Sequence, residues 1–230
     1  MNQSSLKELT THNRRWLLLG LYDVLERAMG PTNWWPAETL FEVCIGAILT
    51  QNAPWSGVAR AIANLKHEGL FDSASIACAD EKILADLIRP SIYYNQKALR
   101  LKAFCLFLEE RYGGAVENLA VLGLEEVRTI LLSLPGIGFE TADSMLLYVL
   151  KKPIFVVDAY TKRIFLRHGL AQLSWGYEDL RHFVEDVLTP DPVKYGEFHA
   201  LLCLVGAQFC KRTPQCDACP VREVLGSPAL

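Results

Sequence analysis

Residues 124–161 read LEEVRTILLSLPGIGFETADSMLLYVLKKPIFVVDAYT, and the order of features in this stretch decides the fold. Apolar residues at helical spacing run from Leu124 to Ser133. The tight turn Leu134-Pro135-Gly136-Ile137-Gly138 follows, and then a second helical run reaches Leu150. Helical periodicity on both sides of a glycine turn predicts helix, hairpin, helix. Two glycines one residue apart permit backbone angles that a side chain forbids, and they let the chain approach another molecule closely. The amides that open the second helix lack an intrahelical acceptor and sit at the positive end of its dipole. Such a turn can hold one phosphate through the backbone, with no surplus of lysine. Taken alone, it equally suits a plain helical hairpin. The apolar run Pro153-Ile154-Phe155-Val156-Val157 then ends in Asp158 at an expected helix start, where aspartate also reads as an ordinary N-cap.

Outward from this stretch the signals stay helical. A first helix is predicted over 13–29, stopped by Gly30-Pro31, and a second over 38–51 is apolar almost all round, which marks it as central and buried. Pro54 is placed to open a helix reaching Glu68. Further helices are expected over 80–88, 95–112, 124–133, 139–150, 159–168, 177–188 and 192–209. Ile154–Val157 is the one strand-like run, and four residues equally suit an extended loop. The expected fold class is all-α.

The chain has 230 residues, of which 51% are hydrophobic and 21% charged, enough for a sizeable core. Its most apolar early run, Trp16 to Tyr22, stops at Asp23, so neither a signal peptide nor a membrane span is expected. The seven cysteines then belong in a reducing compartment, and a cytoplasmic protein without disulfides is expected. A net charge of −3 argues against binding nucleic acid by bulk charge. Local basic faces remain: Lys97, Arg100 and Lys102; Lys151 and Lys152; Lys162, Arg163 and Arg167.

The order of hairpin, helix, proline-containing loop and aspartate resembles the helix–hairpin–helix, Gly/Pro-rich loop, Asp superfamily of DNA glycosylases, which includes endonuclease III. Upstream, Leu49-Thr50-Gln51-Asn52 and Tyr94-Asn95-Gln96-Lys97-Ala98 match further motifs of that superfamily, so the resemblance spans roughly residues 30–220. It implies two helical domains: a six-helix domain over 36–152 that carries the hairpin, and a second built from 1–35 and 153–230. A damaged base of double-stranded DNA enters the cleft between them, and the enzyme acts as a monomer. The resemblance also gives Gln51 the gap left by the extruded nucleotide, with Asn52, Lys97, Gly136, Ile137 and Gly138 on the DNA.

Bifunctional members carry a lysine nucleophile two residues after the second hairpin glycine. Here that position is Glu140, which cannot form an imine, and Lys151 and Lys152 lie about 16 Å away along the same helix. A monofunctional glycosylase is expected, with Asp158 as the catalytic carboxylate that stabilises positive charge on the sugar or activates water. Trp34, Trp35 and Trp55 flank the central helix and suit a stacking pocket for a cationic, alkylated purine; they also suit a core cluster. The combination is similar to class III bacterial 3-methyladenine glycosylases, except that Ile92 stands where they have glycine. Competing readings are a bifunctional enzyme for oxidised pyrimidines, a monofunctional enzyme for mismatched uracil, thymine or adenine, and a non-catalytic DNA-binding module.

Cys44, Cys78 and Cys105 read as core residues. Cys210, Cys216 and Cys219 are similar to the [4Fe-4S] loop of endonuclease III, spaced C-x6-C-x2-C-x5-C. Two departures stand out: the first gap is one residue short, and the last cysteine position is Leu225. Cys203 is then the available fourth ligand, two helical turns or roughly 10.5 Å before Cys210 on an unbroken helix, a span that suits a four-iron cluster better than zinc. His199 is expected to be a partly exposed helix residue.

Overall fold

The computed structural model describes residues 11–228, so the outermost residues of the expected terminal domain lie outside the described residues. Among the described residues every regular element is helical. The chain divides into two compact units, one of residues 35–152 and one joining the two chain ends, with divisions after Trp34 and after Lys152.

The 35–152 unit is built around α2 (Leu40–Leu49), whose Cys44, Ile45, Ile48 and Leu49 are completely buried. Thr39 starts the helix by accepting the Glu42 amide at 3.1 Å. Helices α3 (Trp55–His67) and α6 (Tyr94–Tyr112) pack against α2, and α4 (Ser73–Cys78) and α5 (Glu81–Leu87) pack against α6. Asp72 and Asp80 cap α4 and α5, satisfying amides that the first helical turn leaves without partners. Helix α4 was not foreseen, because six residues are too few to show periodicity. Then come α7 (Leu124–Leu132) and α8 (Phe139–Ser144). The chain beyond α8 continues as a π-helical turn over Met145–Val149, a form often found at functional sites.

The other unit contains α1 (Thr11–Met29), α9 (Ala159–Arg167), α10 (Tyr177–Glu185), α11 (Pro192–Gln208) and the short α12 (Arg222–Leu225). Helices α9 and α11 pack so closely that a Cβ on Gly206 would stand 2.2 Å from the Tyr160 ring. Ile154–Val157 forms no strand: it is a buried extended segment. Its amides find side chains instead, Phe155 N donating to Glu185 at 2.6 Å and Val157 N to the Tyr177 hydroxyl at 3.4 Å. Buried backbone must be paired, and side chains do here what a neighbouring strand would otherwise do.

Candidate active site

In the 35–152 unit the hairpin is held from three sides. Gly136 has φ +75, and a Cβ there would lie 2.2 Å from Nε of Arg100. Gly138 has φ −97 and faces open space as the N-cap of α8, so the two glycines serve different ends. Gln51 Nε2 donates to the Gly136 carbonyl at 3.0 Å and to Thr141 Oγ1 at 2.8 Å, while Arg100 donates to its Oε1. Its amide therefore ties the end of α2 to the hairpin. Beneath the turn, Arg128 and Asp143 form a bidentate pair at 2.8 and 3.1 Å, with Asp143 fully buried and the guanidinium 5.1 Å from the Phe139 ring. That pair joins α7 to α8, and no local pattern announced it. Ile137 is 5% exposed and belongs to the core of the turn; Gly136, Gly138, Phe139 and Glu140 remain at the surface. Asn52 is also exposed, at φ +52, a conformation asparagine tolerates.

The expected basic faces are largely internal clasps. Lys97, read from the sequence as a DNA contact, is 0% exposed; its Nζ donates to the carbonyls of Leu49, at 2.7 Å, and Ser91. Burial first, and then the Arg100 charge, lower its pKa from the usual 10.5 to about 8. Lys102 holds the Ala79 carbonyl, Lys151 that of Tyr148, and Lys152 those of Ala120 and Leu122. Loop and helix-end carbonyls need donors, and long basic side chains supply them.

Trp35, Trp55 and Tyr148 form one aromatic group. The Trp35 ring centroid lies 5.9 Å from Trp55 and 5.6 Å from Tyr148, both edge-on, geometry that aromatic quadrupoles favour. Trp35 packs over Gly46, where a Cβ would approach its indole nitrogen to 3.2 Å, while Trp55 is 37% exposed. Tyr148, supplied by the π turn, was missed because it reads as one more apolar residue of a buried helix. Trp34 is half-buried in the other unit.

There, Asp158 caps α9: its Oδ1 accepts the Thr161 amide at 2.7 Å. Its Oδ2 accepts the Cys203 thiol at 3.3 Å, and Nε2 of His199 stands 3.5 Å from the same sulfur. The three polar groups lie within 4.8 Å of one another. His199 is 4% exposed, not the partly exposed residue expected, and burial lowers its pKa despite the opposing pull of Asp158.

A family model described as the HhH-GPD superfamily of base excision DNA repair proteins matches residues 45–190. The chain belongs to that superfamily. It is 44% identical to a putative DNA repair glycosylase of Methanocaldococcus jannaschii, over 92% of this chain and 96% of that protein. It is 32% identical to endonuclease III of Thermotoga maritima, over 78% and 79% respectively. A crystal structure of the H. pylori 3-methyladenine DNA glycosylase bound to 1,N6-ethenoadenine superposes with a TM-score of 0.72 at 28% identity, covering 85% of this chain and 97% of that one.

The cluster that endonuclease III-like proteins imply can be tested against the cysteines of this HhH-GPD chain. Cys210, Cys216 and Cys219 line one pocket of about 270 Å³, open solvent included. The Cys219 thiol is raised first by burial and is drawn back by amide hydrogen bonds from Val221 and Arg222, while Arg167 Nη1 reaches the Cys210 sulfur at 3.2 Å. Donors aimed at sulfur suit thiolates. Arg163 and Arg167 brace the same loop through the carbonyls of Cys210, Lys211 and Arg212, and Arg163 also holds that of Gly206 in α11. Three thiols therefore fit the group. Cys203, expected as the fourth, is not brought to them: α11 ends at Gln208, so the unbroken helix that would align Cys203 with Cys210 is absent, and Cys203 lies against Asp158. Among the other cysteines, Cys44 and Cys105 are buried as expected, but Cys78 is exposed.

Proposed function

We propose that this base excision repair glycosylase is monofunctional and hydrolyses the N-glycosidic bond of alkylated purines such as 3-methyladenine in duplex DNA, without cutting the strand. The observation that carries this reading is the carboxylate at the lyase position. Glu140 stands two residues after the second hairpin glycine, and the lysines at the far end of that helical run, Lys151 and Lys152, are engaged with carbonyls. No amine is offered there for a Schiff base.

The aromatic group supports the choice of base. Trp55 presents ring surface beside Trp35 and Tyr148, and electron-rich faces attract a base that methylation has made cationic. Such a leaving group departs without protonation. The chemistry then asks only for a carboxylate to stabilise charge on the sugar or to activate water, and Asp158 fills that role. With one oxygen on the Thr161 amide and the other on the Cys203 thiol, its carboxylate is fixed in orientation. Glu140 is a further substrate-contacting residue in this reading. The hairpin residues Gly136, Ile137 and Gly138 hold one phosphate through the backbone, and Asn52 and Gln51 meet the strand. Residues 36–152 act as the hairpin domain and 1–35 with 153–230 as the terminal domain, in a monomeric, cytoplasmic enzyme. An iron–sulfur cluster, when bound, supplies a fixed loop that presents Lys211 and Arg212 to phosphate.

The test is a duplex carrying methylated purines, with released base and strand breaks followed separately. Free 3-methyladenine and breaks that require alkali are expected. Breaks without alkali, together with a borohydride-trapped protein–DNA adduct, overturn the monofunctional reading. Asp158→Asn is expected to lower base release by about 10²-fold or more while leaving DNA binding in place. Full activity in that variant removes Asp158 from the mechanism.

A further inference from the structure

The cysteine loop lacks the fourth thiolate of its relatives' spacing, and the pocket itself supplies a different candidate. Besides Cys210, Cys216 and Cys219, the lining includes one more group able to ligate metal, the imidazole of His168. His168 is the C-cap of α9, ten residues beyond Asp158, so it approaches from another element. Its Nδ1 is buried and has no hydrogen-bond partner. The backbone of Leu225 stands beside the ring, and Leu225 occupies the position of the missing cysteine. A ligating histidine characteristically gives its second nitrogen to a carbonyl, which fixes the tautomer and leaves the other nitrogen for the metal. Cys203 is committed elsewhere, between Asp158 and His199.

The spacing of the ligands separates a cluster from a single ion. The sulfurs of Cys210, Cys216 and Cys219 do not draw in to the mutual 4.8 Å that Asp158, His199 and Cys203 reach. Four ligands about 2.0–2.3 Å from one zinc ion need closer quarters, whereas a cluster whose irons each take one ligand needs a wider frame.

We infer that this chain holds a [4Fe-4S] cluster through Cys210, Cys216, Cys219 and His168, with Cys203 outside the ligand set. Histidine in place of a thiolate removes one negative charge from the site and raises the reduction potential relative to an all-cysteine cluster.

The experiment uses the full chain purified without oxygen, and none of its readouts depends on which base the enzyme excises. Iron and acid-labile sulfide are measured per chain, and the reduced protein labelled with 15N-histidine is examined by pulsed electron paramagnetic resonance. Equal iron and sulfide with a 15N coupling to the cluster are expected. His168→Cys is expected to keep the iron, lose the coupling and shift the potential downward. Cys203→Ser is expected to keep iron, sulfide and coupling. Absence of 15N coupling in the unmodified protein overturns the assignment without recourse to any variant. So do zinc in place of iron, a chain that holds neither metal, and loss of iron on replacing Cys203 alone in a variant whose circular dichroism is unchanged.

Discussion

Replacing Gly136 by alanine puts a Cβ 2.2 Å from Nε, 2.5 Å from Cδ and 2.7 Å from Cγ of Arg100. These atoms lie midway along the side chain, so the whole arginine must move, and with it the bond from Arg100 to Gln51 that helps fix the hairpin. A side chain at φ +75 costs about 1–2 kcal/mol, of which about 0.4–1 returns through the stiffer unfolded chain. Loss of a charge-assisted hydrogen bond costs roughly 1.5–3 kcal/mol more. A net destabilisation of about 2–4 kcal/mol is expected, or roughly 4–16 °C in Tm for a chain of this size. Gly138→Ala is the control: φ is −97, no atom lies within 4 Å of the added Cβ, and stability should stay within about 0.5 kcal/mol. Because Gly138 opens α8 at the surface, its alanine variant should nonetheless bind duplex DNA more weakly, since the added methyl holds a phosphate off the backbone. Urea unfolding of both variants, with titration of an abasic-site duplex, reads both effects. Equal stability losses at the two positions, or an unaffected Gly136→Ala, refute the reasoning.

Two further perturbations concern stability. Lys97 binds its proton less tightly folded than unfolded, so its contribution to stability rises with pH between about 8 and 10.5, by about 3 kcal/mol at 1.36 kcal/mol per unit. The stability difference between wild type and Lys97→Met should grow by that order from pH 7.5 to 10; a difference that is flat in pH sinks the account of a charged, buried clasp. Ile92 has φ +59 and ψ 159, a region that belongs to glycine, and its side chain is 45% exposed. Ile92→Gly should therefore raise Tm or leave it unchanged, although the same substitution in a helix or strand lowers it; a fall of several degrees shows that the Ile92 side chain is held by contacts worth more than its strain.

Helix class, helix order and the hairpin are legible in the sequence because each is encoded within a few neighbouring residues. Period-3.6 apolar runs, the glycine turn at 134–138 and the aspartate before α9 act locally, and Asp158 does cap that helix. Where the signal was short it decided less: α4, with six residues, went unforeseen, and Ile154–Val157, which suits a strand or an extended loop alike, is not a strand. What tertiary structure decided is the direction and company of individual side chains. Lys97 looks in sequence like any basic surface residue, yet it fills a buried carbonyl site, because the ends of α2 and the 89–91 turn converge there. Gly136 and Gly138 look alike, yet only one is crowded by Arg100, whose place depends on α6. Cys203, expected among the ligands, and His168, to which no local pattern gives a role, are placed by the same cause. Their roles follow from where α11 stops and which residues the α9 C-terminus meets across a sequence gap of some fifty residues, a matter of packing that no local pattern records.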